Sequence, residues 1–139
     1  MSARAFFDTN ILIYTLEAND PRADVAERLL ASGGAVNVQV INEFVAVTRR
    51  KLRLGWPDVA KGLAAIRRLC GPPLPLTDEV QALAIQIAQA HGYGIYDAAI
   101  IAAALHAKCE VLYSEDLQDG RQFDEQITIE NPFAGREHA

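Results

Sequence analysis

Arg4-Ala5-Phe6-Phe7-Asp8-Thr9-Asn10-Ile11-Leu12 is a short apolar run that meets an acid and continues into a helical pattern. Residues 4–7 read as a buried strand. Ile11, Leu12, Tyr14 and Thr15 give residues 10–17 the pattern of a helix beginning just after Asp8. A strand that passes directly into a helix puts Asp8 at the strand's carboxyl end, the edge where open α/β sheets hold their ligands. The same aspartate also suits a helix cap, and this stretch leaves both uses open.

Outward from it, helices and strands alternate. Asp20-Pro21 reads as a helix start, with Asp20 as N-cap and Pro21 in the first turn. Val25, Leu29 and Leu30 form that helix's apolar face, and Gly33-Gly34 closes it. Residues 35–38 read as a second strand. Residues 40–52 read as a helix, with Ile41, Phe44, Val45 and Leu52 near helical spacing. Trp56-Pro57-Asp58 opens a helix to about Cys70, which Gly71-Pro72-Pro73 breaks. Residues 74–76 form a third short strand. Thr77 caps the next helix, with Asp78 and Glu79 in its first turn and Gly92 as its stop. Residues 96–108 are alanine-rich and apolar almost all round, the signature of a buried helix. Residues 111–113 and 127–130 are the fourth and fifth strands, and the tail from about residue 131 is expected to be loose. This alternation predicts an α/β fold, a parallel sheet of four to five strands covered by helices on both faces. One domain over residues 1–139 accommodates it.

Composition narrows the function. Half of the 139 residues are hydrophobic, and the net charge is −5. A freestanding nucleic-acid binder is ordinarily basic, but a carboxylate cluster whose charge a metal offsets is compatible with a nuclease. No apolar run reaches the ~18 residues of a membrane span. The opening residues meet Asp8 too soon for a secretion signal. Cys70 and Cys109 are far apart and match neither a disulfide framework nor a zinc pattern. A cytoplasmic location is the expectation. There is no GxxxxGK[ST], no GxGxxG after a strand and no GxSxG. His91 sits at a helix end, His106 inside the alanine-rich helix and His138 in the tail.

Acids hold the chemical signal. Asp116 follows the strand at 111–113 through Ser114 and Glu115, so a second carboxylate stands just past a second strand end. Glu43 reads as lying in the first turn of its helix, and Asp97 at the start of the alanine-rich one. Helix starts that follow strands share the sheet edge with strand ends. Each acid alone also fits a cap, a first-turn acid or a turn. Brought together, four carboxylates repel, and some would hold a proton above the ordinary pKa of ~4. A hard divalent cation relieves that repulsion, and oxygen ligands without Cys or His suit Mg²⁺ or Mn²⁺.

The chain resembles the PIN-domain family, in particular the VapC-type toxins of toxin–antitoxin pairs. The likeness lies in Phe7-Asp8-Thr9-Asn10-Ile11-Leu12, Gln39-Val40-Ile41-Asn42-Glu43-Phe44, Tyr96-Asp97-Ala98-Ala99-Ile100-Ile101-Ala102-Ala103-Ala104 and Leu112-Tyr113-Ser114-Glu115-Asp116-Leu117-Gln118-Asp119-Gly120, in that order. The resemblance implies a PIN-like α/β/α sandwich and an endoribonuclease using Mg²⁺ or Mn²⁺. It implies that Asp8, Glu43, Asp97 and Asp116 are the catalytic and metal-binding acids. It further implies that Asn10 and Ser114 support them, that the protein forms a homodimer, and that a cognate antitoxin inhibits it. Glu115 and Asp119 flank Asp116 and leave open which carboxylate of that loop touches metal.

Arg49, Arg50, Lys51 and Arg53 cluster past Glu43, either as a path for an RNA backbone or as a solvated helix face. Arg67 and Arg68 are a second, weaker basic pair. Tyr14, Tyr93 and Tyr96 are candidates for stacking on bases or for core packing. Two other functions compete. A haloacid-dehalogenase-type phosphotransferase also begins with Asp after a first strand, but it expects a second Asp where this chain has Asn10. A non-catalytic binding module of the same fold would use the acidic charge to attract a basic partner.

Overall fold

The first apolar run does form a strand, β1 (Ala5–Phe7), in the computed structural model, which describes residues 4–134. It is followed by α1 (Thr9–Tyr14), α2 (Arg22–Ala31), α3 (Val38–Arg50), α4 (Trp56–Cys70), α5 (Asp78–His91) and α6 (Ile95–His106). The chain closes with β2 (Val111–Tyr113), β3 (Gln122–Phe123) and β4 (Ile127–Glu130). The sheet order is β1-β2-β4-β3. β1, β2 and β4 are parallel, with Phe7 opposite Tyr113 and Tyr113 opposite Glu130. Helices sandwich this sheet. Phe6, Phe7, Ile11, Leu12, Phe44, Ile101 and Leu112 are buried at its centre. α6 is buried from Ala98 through Leu105, and its small side chains let α5 pack closely along it.

Four departures from the expected elements have local causes. Residues 35–38 and 74–76 do not form full strands. They continue the sheet past β1 as single parallel bridges, Phe6 with Ala35 and Asn37 with Leu74. The first ends early because Asn37 turns to cap α3, its side chain accepting from the Val40 N–H at 3.0 Å. The second is limited by Pro73 and Pro75, which have no N–H to donate to a ladder. α3 therefore begins at Val38, two residues before the expected start. β3, not foreseen, runs antiparallel to β4, and the turn between them puts Asp124 and Glu125 at φ 53° and 54°. The Gln126 N–H closes that turn on the Phe123 carbonyl at 3.0 Å, so two successive left-handed residues reverse the chain without the Asn-Gly that announces such a turn.

Two smaller corrections concern chain ends. Pro21, not Asp20, occupies the N-cap position of α2, although the Asp20 carboxylate still accepts from the Arg22 N–H at 2.9 Å. The tail is held through residue 134. The Asn131 N–H donates to Asp119 at 2.7 Å, and buried Phe133 meets the Tyr14 ring edge-on. Residues 135–139, including His138, lie outside the described residues. Both cysteines are free thiols, and among the described residues no helix is long and apolar enough to cross a membrane.

Candidate active site

Because β1 and β2 are adjacent and parallel, their carboxyl ends open on the same side. The Asp8 N–H donates to the Tyr113 carbonyl at 3.0 Å, locking the two ends together. Asp8 caps α1 and also faces the site: Oδ1 accepts from the Thr9 N–H at 2.7 Å, and Oδ2 accepts from the Ser114 hydroxyl at 2.7 Å. Both uses left open by the sequence hold at once. Ser114 also accepts from the N–H groups of Asp116 and Leu117, each at 3.3 Å. It therefore shapes the loop that carries Asp116 while holding Asp8.

Glu43 reaches the same place from α3. With α3 starting at Val38, Glu43 lies in the second turn, and the first turn carries no acid. Its position thus owes nothing to the helix dipole. Its Oε2 accepts from the Thr9 hydroxyl at 2.9 Å, and its Oε1 accepts from Gln39 at 3.1 Å. Asp97 is in the first turn of α6, after the Gly94 cap. Asn10 donates to Asp116 Oδ2 at 3.1 Å, approaches Asp8 Oδ2 at 3.5 Å, and accepts from the Glu115 N–H at 3.1 Å. All four acids, with Asn10, line one cavity of about 400 Å³.

The other acids of the last loop have partners of their own, although Glu115 also lines the cavity. Glu115 accepts from the Tyr14 hydroxyl at 2.6 Å and pairs with Arg22 at 3.2 Å. Burial and that hydrogen bond push the Tyr14 phenol up to about 12, so it stays a donor. Asp119 holds the Asn131 N–H. Thr9, Gln39 and the Tyr14–Glu115–Arg22 cluster were not singled out by the sequence. Thr9 follows Asp8, and Gln39 precedes Glu43 by one helical turn, a spacing that carries a usable signal.

The electrostatics are those of crowded carboxylates. Asp8 is pushed up to about 6, chiefly by burial, with the Glu43 and Asp116 charges adding to it and the Ser114 and Thr9 hydrogen bonds opposing it. Asp97, an exposed residue, is raised first by the partial desolvation of its carboxyl and then by the Asp116 and Glu43 charges. Among the described residues the ion pairs are Arg22–Asp20 and Arg22–Glu115, so no protein cation is paired to the four acids. Their donor set is oxygen only, which fits a hard divalent cation. Among the described residues no three His, Cys, Asp or Glu side chains are yet drawn close enough to enclose an ion. Neutral donors from Ser114, Thr9, Asn10 and Gln39 bond three of the carboxylates.

The basic cluster divides. Lys51 lines the acid cavity from the end of α3. Arg49 turns away, donating to the Leu54 carbonyl at 3.0 Å and lying 4.4 Å over the exposed Trp56 ring. Arg50 and Arg53 are exposed, as are Arg67 and Arg68 on α4. Tyr96 and Tyr14 line the cavity, whereas Tyr93 packs against Phe123.

The sequence matches the PIN domain family over residues 5–123, a span that includes all four acids. No curated protein matches the sequence. Among solved structures, a chain of a toxin–antitoxin complex from Klebsiella pneumoniae is similar with a TM-score of 0.69 and 18% identity, over 92% of this chain and 97% of that one. VapC20 of Mycobacterium tuberculosis, a toxin that cleaves the sarcin–ricin loop, is similar with a TM-score of 0.63 and 24% identity, over 81% of this chain and 91% of that one.

Proposed function

This chain belongs to the PIN domain family, and from that premise we propose that it is a divalent-metal-dependent endoribonuclease, the toxin of a VapBC-type toxin–antitoxin pair. One observation carries the reading: carboxylates from four separate chain segments line a single cavity, and among the described residues no Lys or Arg is paired to them. Asp8, Glu43, Asp97 and Asp116 then hold Mg²⁺ or Mn²⁺. When bound, the ion supplies a water of lowered pKa and offsets charge on the leaving oxygen.

The chain's own residues set the geometry. Ser114 and the Thr9 N–H hold Asp8, Thr9 and Gln39 hold Glu43, and Asn10 holds Asp116. Asp97 is exposed, and its carboxylate makes no hydrogen bond among the described residues. It is the acid freest to take a proton from the attacking water. Lys51 meets a substrate phosphate at the cavity wall, and Arg50 and Arg53 extend the path along the end of α3, with Arg49 held beside it by Trp56. A homodimer, a cytoplasmic location and a cognate antitoxin whose basic segment is drawn to the acidic cavity complete the reading. Asn10, where a dehalogenase-type phosphotransferase needs its second Asp, serves here as a donor to Asp116, which disfavours that alternative.

The test is cleavage of total RNA with Mg²⁺ or Mn²⁺. Asp8→Asn should abolish cleavage while the circular dichroism of the fold is preserved, and EDTA should do the same to the wild type. Undiminished cleavage by Asp8→Asn would overturn the scheme. Tight capture of a partner with no cleavage under any metal would select a non-catalytic binding module instead.

A further inference from the structure

Three tyrosines were candidates to meet a nucleic-acid base, and their surroundings separate them. The Tyr93 ring packs against Phe123, and its hydroxyl is buried. The Tyr14 ring is covered by the Arg22 guanidinium at 4.4 Å, and its hydroxyl is committed to Glu115. Tyr96 is 72% exposed. Among the described residues its ring stacks on no other aromatic side chain and carries no guanidinium.

Tyr96 is nonetheless held in register with the acids. It immediately precedes Asp97 in the first turn of α6, and it lines the same cavity as the carboxylates. Its carbonyl accepts from Gln39 Nε2 at 3.2 Å, the same nitrogen that donates to Glu43 at 3.1 Å. One amide thus ties the backbone beneath the exposed ring to an acid of the cavity. Lys51, from α3, supplies a cation on the wall of the same cavity. An aromatic face, a cation and a set of acids around one opening match the base, the adjoining phosphate and the reacting phosphate of a single nucleotide.

We infer that Tyr96 is the platform on which an unstacked base rests beside the reacting phosphate. The inference rests on the nuclease reading of this cavity. A base within a duplex has both faces covered by its neighbours and cannot reach an outside ring, whereas a splayed base stacks on an exposed aromatic side chain. An apolar protein partner could also cover Tyr96, together with exposed Ile95 and Leu76. It would then seal Asp97 and its neighbours away from water, which makes the nucleotide the better match.

The experiment uses the full chain carrying Asp8→Asn, with Mg²⁺, and a single-stranded oligouridylate containing one 2-aminopurine, whose fluorescence falls on stacking. Binding should quench the probe. Adding Tyr96→Ala should weaken binding about tenfold to a hundredfold and remove the quenching, while Tyr96→Phe and Tyr96→Trp stay within about threefold of the parent. A duplex of the same sequence should compete poorly. The inference is overturned if the parent does not bind the single strand, if Tyr96→Ala binds and quenches like the parent, or if Tyr96→Phe loses as much as Tyr96→Ala. It is also overturned if light scattering shows that Tyr96→Ala only dissolves an oligomer, which would assign the ring to a second copy of this chain. Cleavage by the wild-type background separates the two readings. RNA cutting that ignores Tyr96→Ala sinks the platform and leaves the nuclease, while Tyr96-dependent stacking without any cutting does the reverse.

Discussion

Ser114 is the side chain on which the placement of Asp8 most depends. It is fully buried, donates to Asp8, and accepts from two backbone N–H groups of the loop that carries Asp116. Ser114→Ala leaves those groups without their partner, at a cost of about 1–3 kcal/mol to folding. It should also weaken metal-supported activity about tenfold to a hundredfold. Urea unfolding and a Mg²⁺ titration of cleavage would measure the two effects, and Ser114→Thr, which keeps the hydroxyl, should restore most of both. Asp8 itself gives a pH prediction. Its carboxyl is raised from 3.8 to about 6 in the fold, so in metal-free protein the unfolded chain ionises first as pH rises. Folding stability is then unpenalised below about pH 4, falls between about 4 and 6, and keeps a constant penalty above that. Asp8→Asn removes it, so in EDTA the variant should be more stable than wild type near pH 7 by up to about 3 kcal/mol. That gain should shrink towards pH 4 in thermal melts. A gain independent of pH would show that desolvation of the charge is not its cause.

At the scale of elements, the hairpin between β3 and β4 is the least expected part of the molecule. Asp124 and Glu125 both adopt the left-handed conformation, which non-glycine residues occupy at a cost. Replacing the pair by Asn-Gly, the sequence that such a turn prefers, should raise stability by about 1 kcal/mol. Equilibrium denaturation would detect this, and a loss of stability would mean that the two side chains do more than turn the chain. The helices were more legible than the strands. Apolar spacing over three turns, the Thr77 cap and the Gly71 and Gly92 stops predict α4 and α5 almost to the residue. Two- and three-residue strands carry too few side chains to establish a period, so residues 35–38 and 74–76 read as strands but form single bridges, and β3 escapes notice altogether.

At the scale of the whole molecule, the chain carries a net charge of −5, so RNA is not drawn to it by a global field. Attraction has to come from the local basic residues and from any cation the acids hold. Cleavage should therefore fall with added monovalent salt, with a log–log slope shallow for a nucleic-acid enzyme, about −0.7 for each phosphate contact on a single strand. Lys51→Ala should lower the magnitude of that slope by about one contact while leaving the fold intact, since Lys51 is exposed. Arg49→Ala should change the slope less, because its guanidinium lies on Trp56. Equal changes for the two would argue that the path of the RNA is not set by the cavity wall.

The alternation of apolar strands and periodic helices was readable in the linear chain, as was the position of Asp8, Asp97 and Asp116 at strand ends and helix starts. Burial periodicity and chain direction are local properties, and parallel strands necessarily bring such positions to one edge. Which acids share the cavity, and what each is bonded to, came only from tertiary contact. Thr9 meets Glu43 across 34 positions, and Ser114 meets Asp8 across 106. Glu115 and Asp116 are adjacent in sequence and both line the cavity, yet one is tied to Arg22 and Tyr14 and the other accepts from Asn10. A side chain's partner is decided by what the fold places within hydrogen-bond reach, and no local pattern encodes that distance.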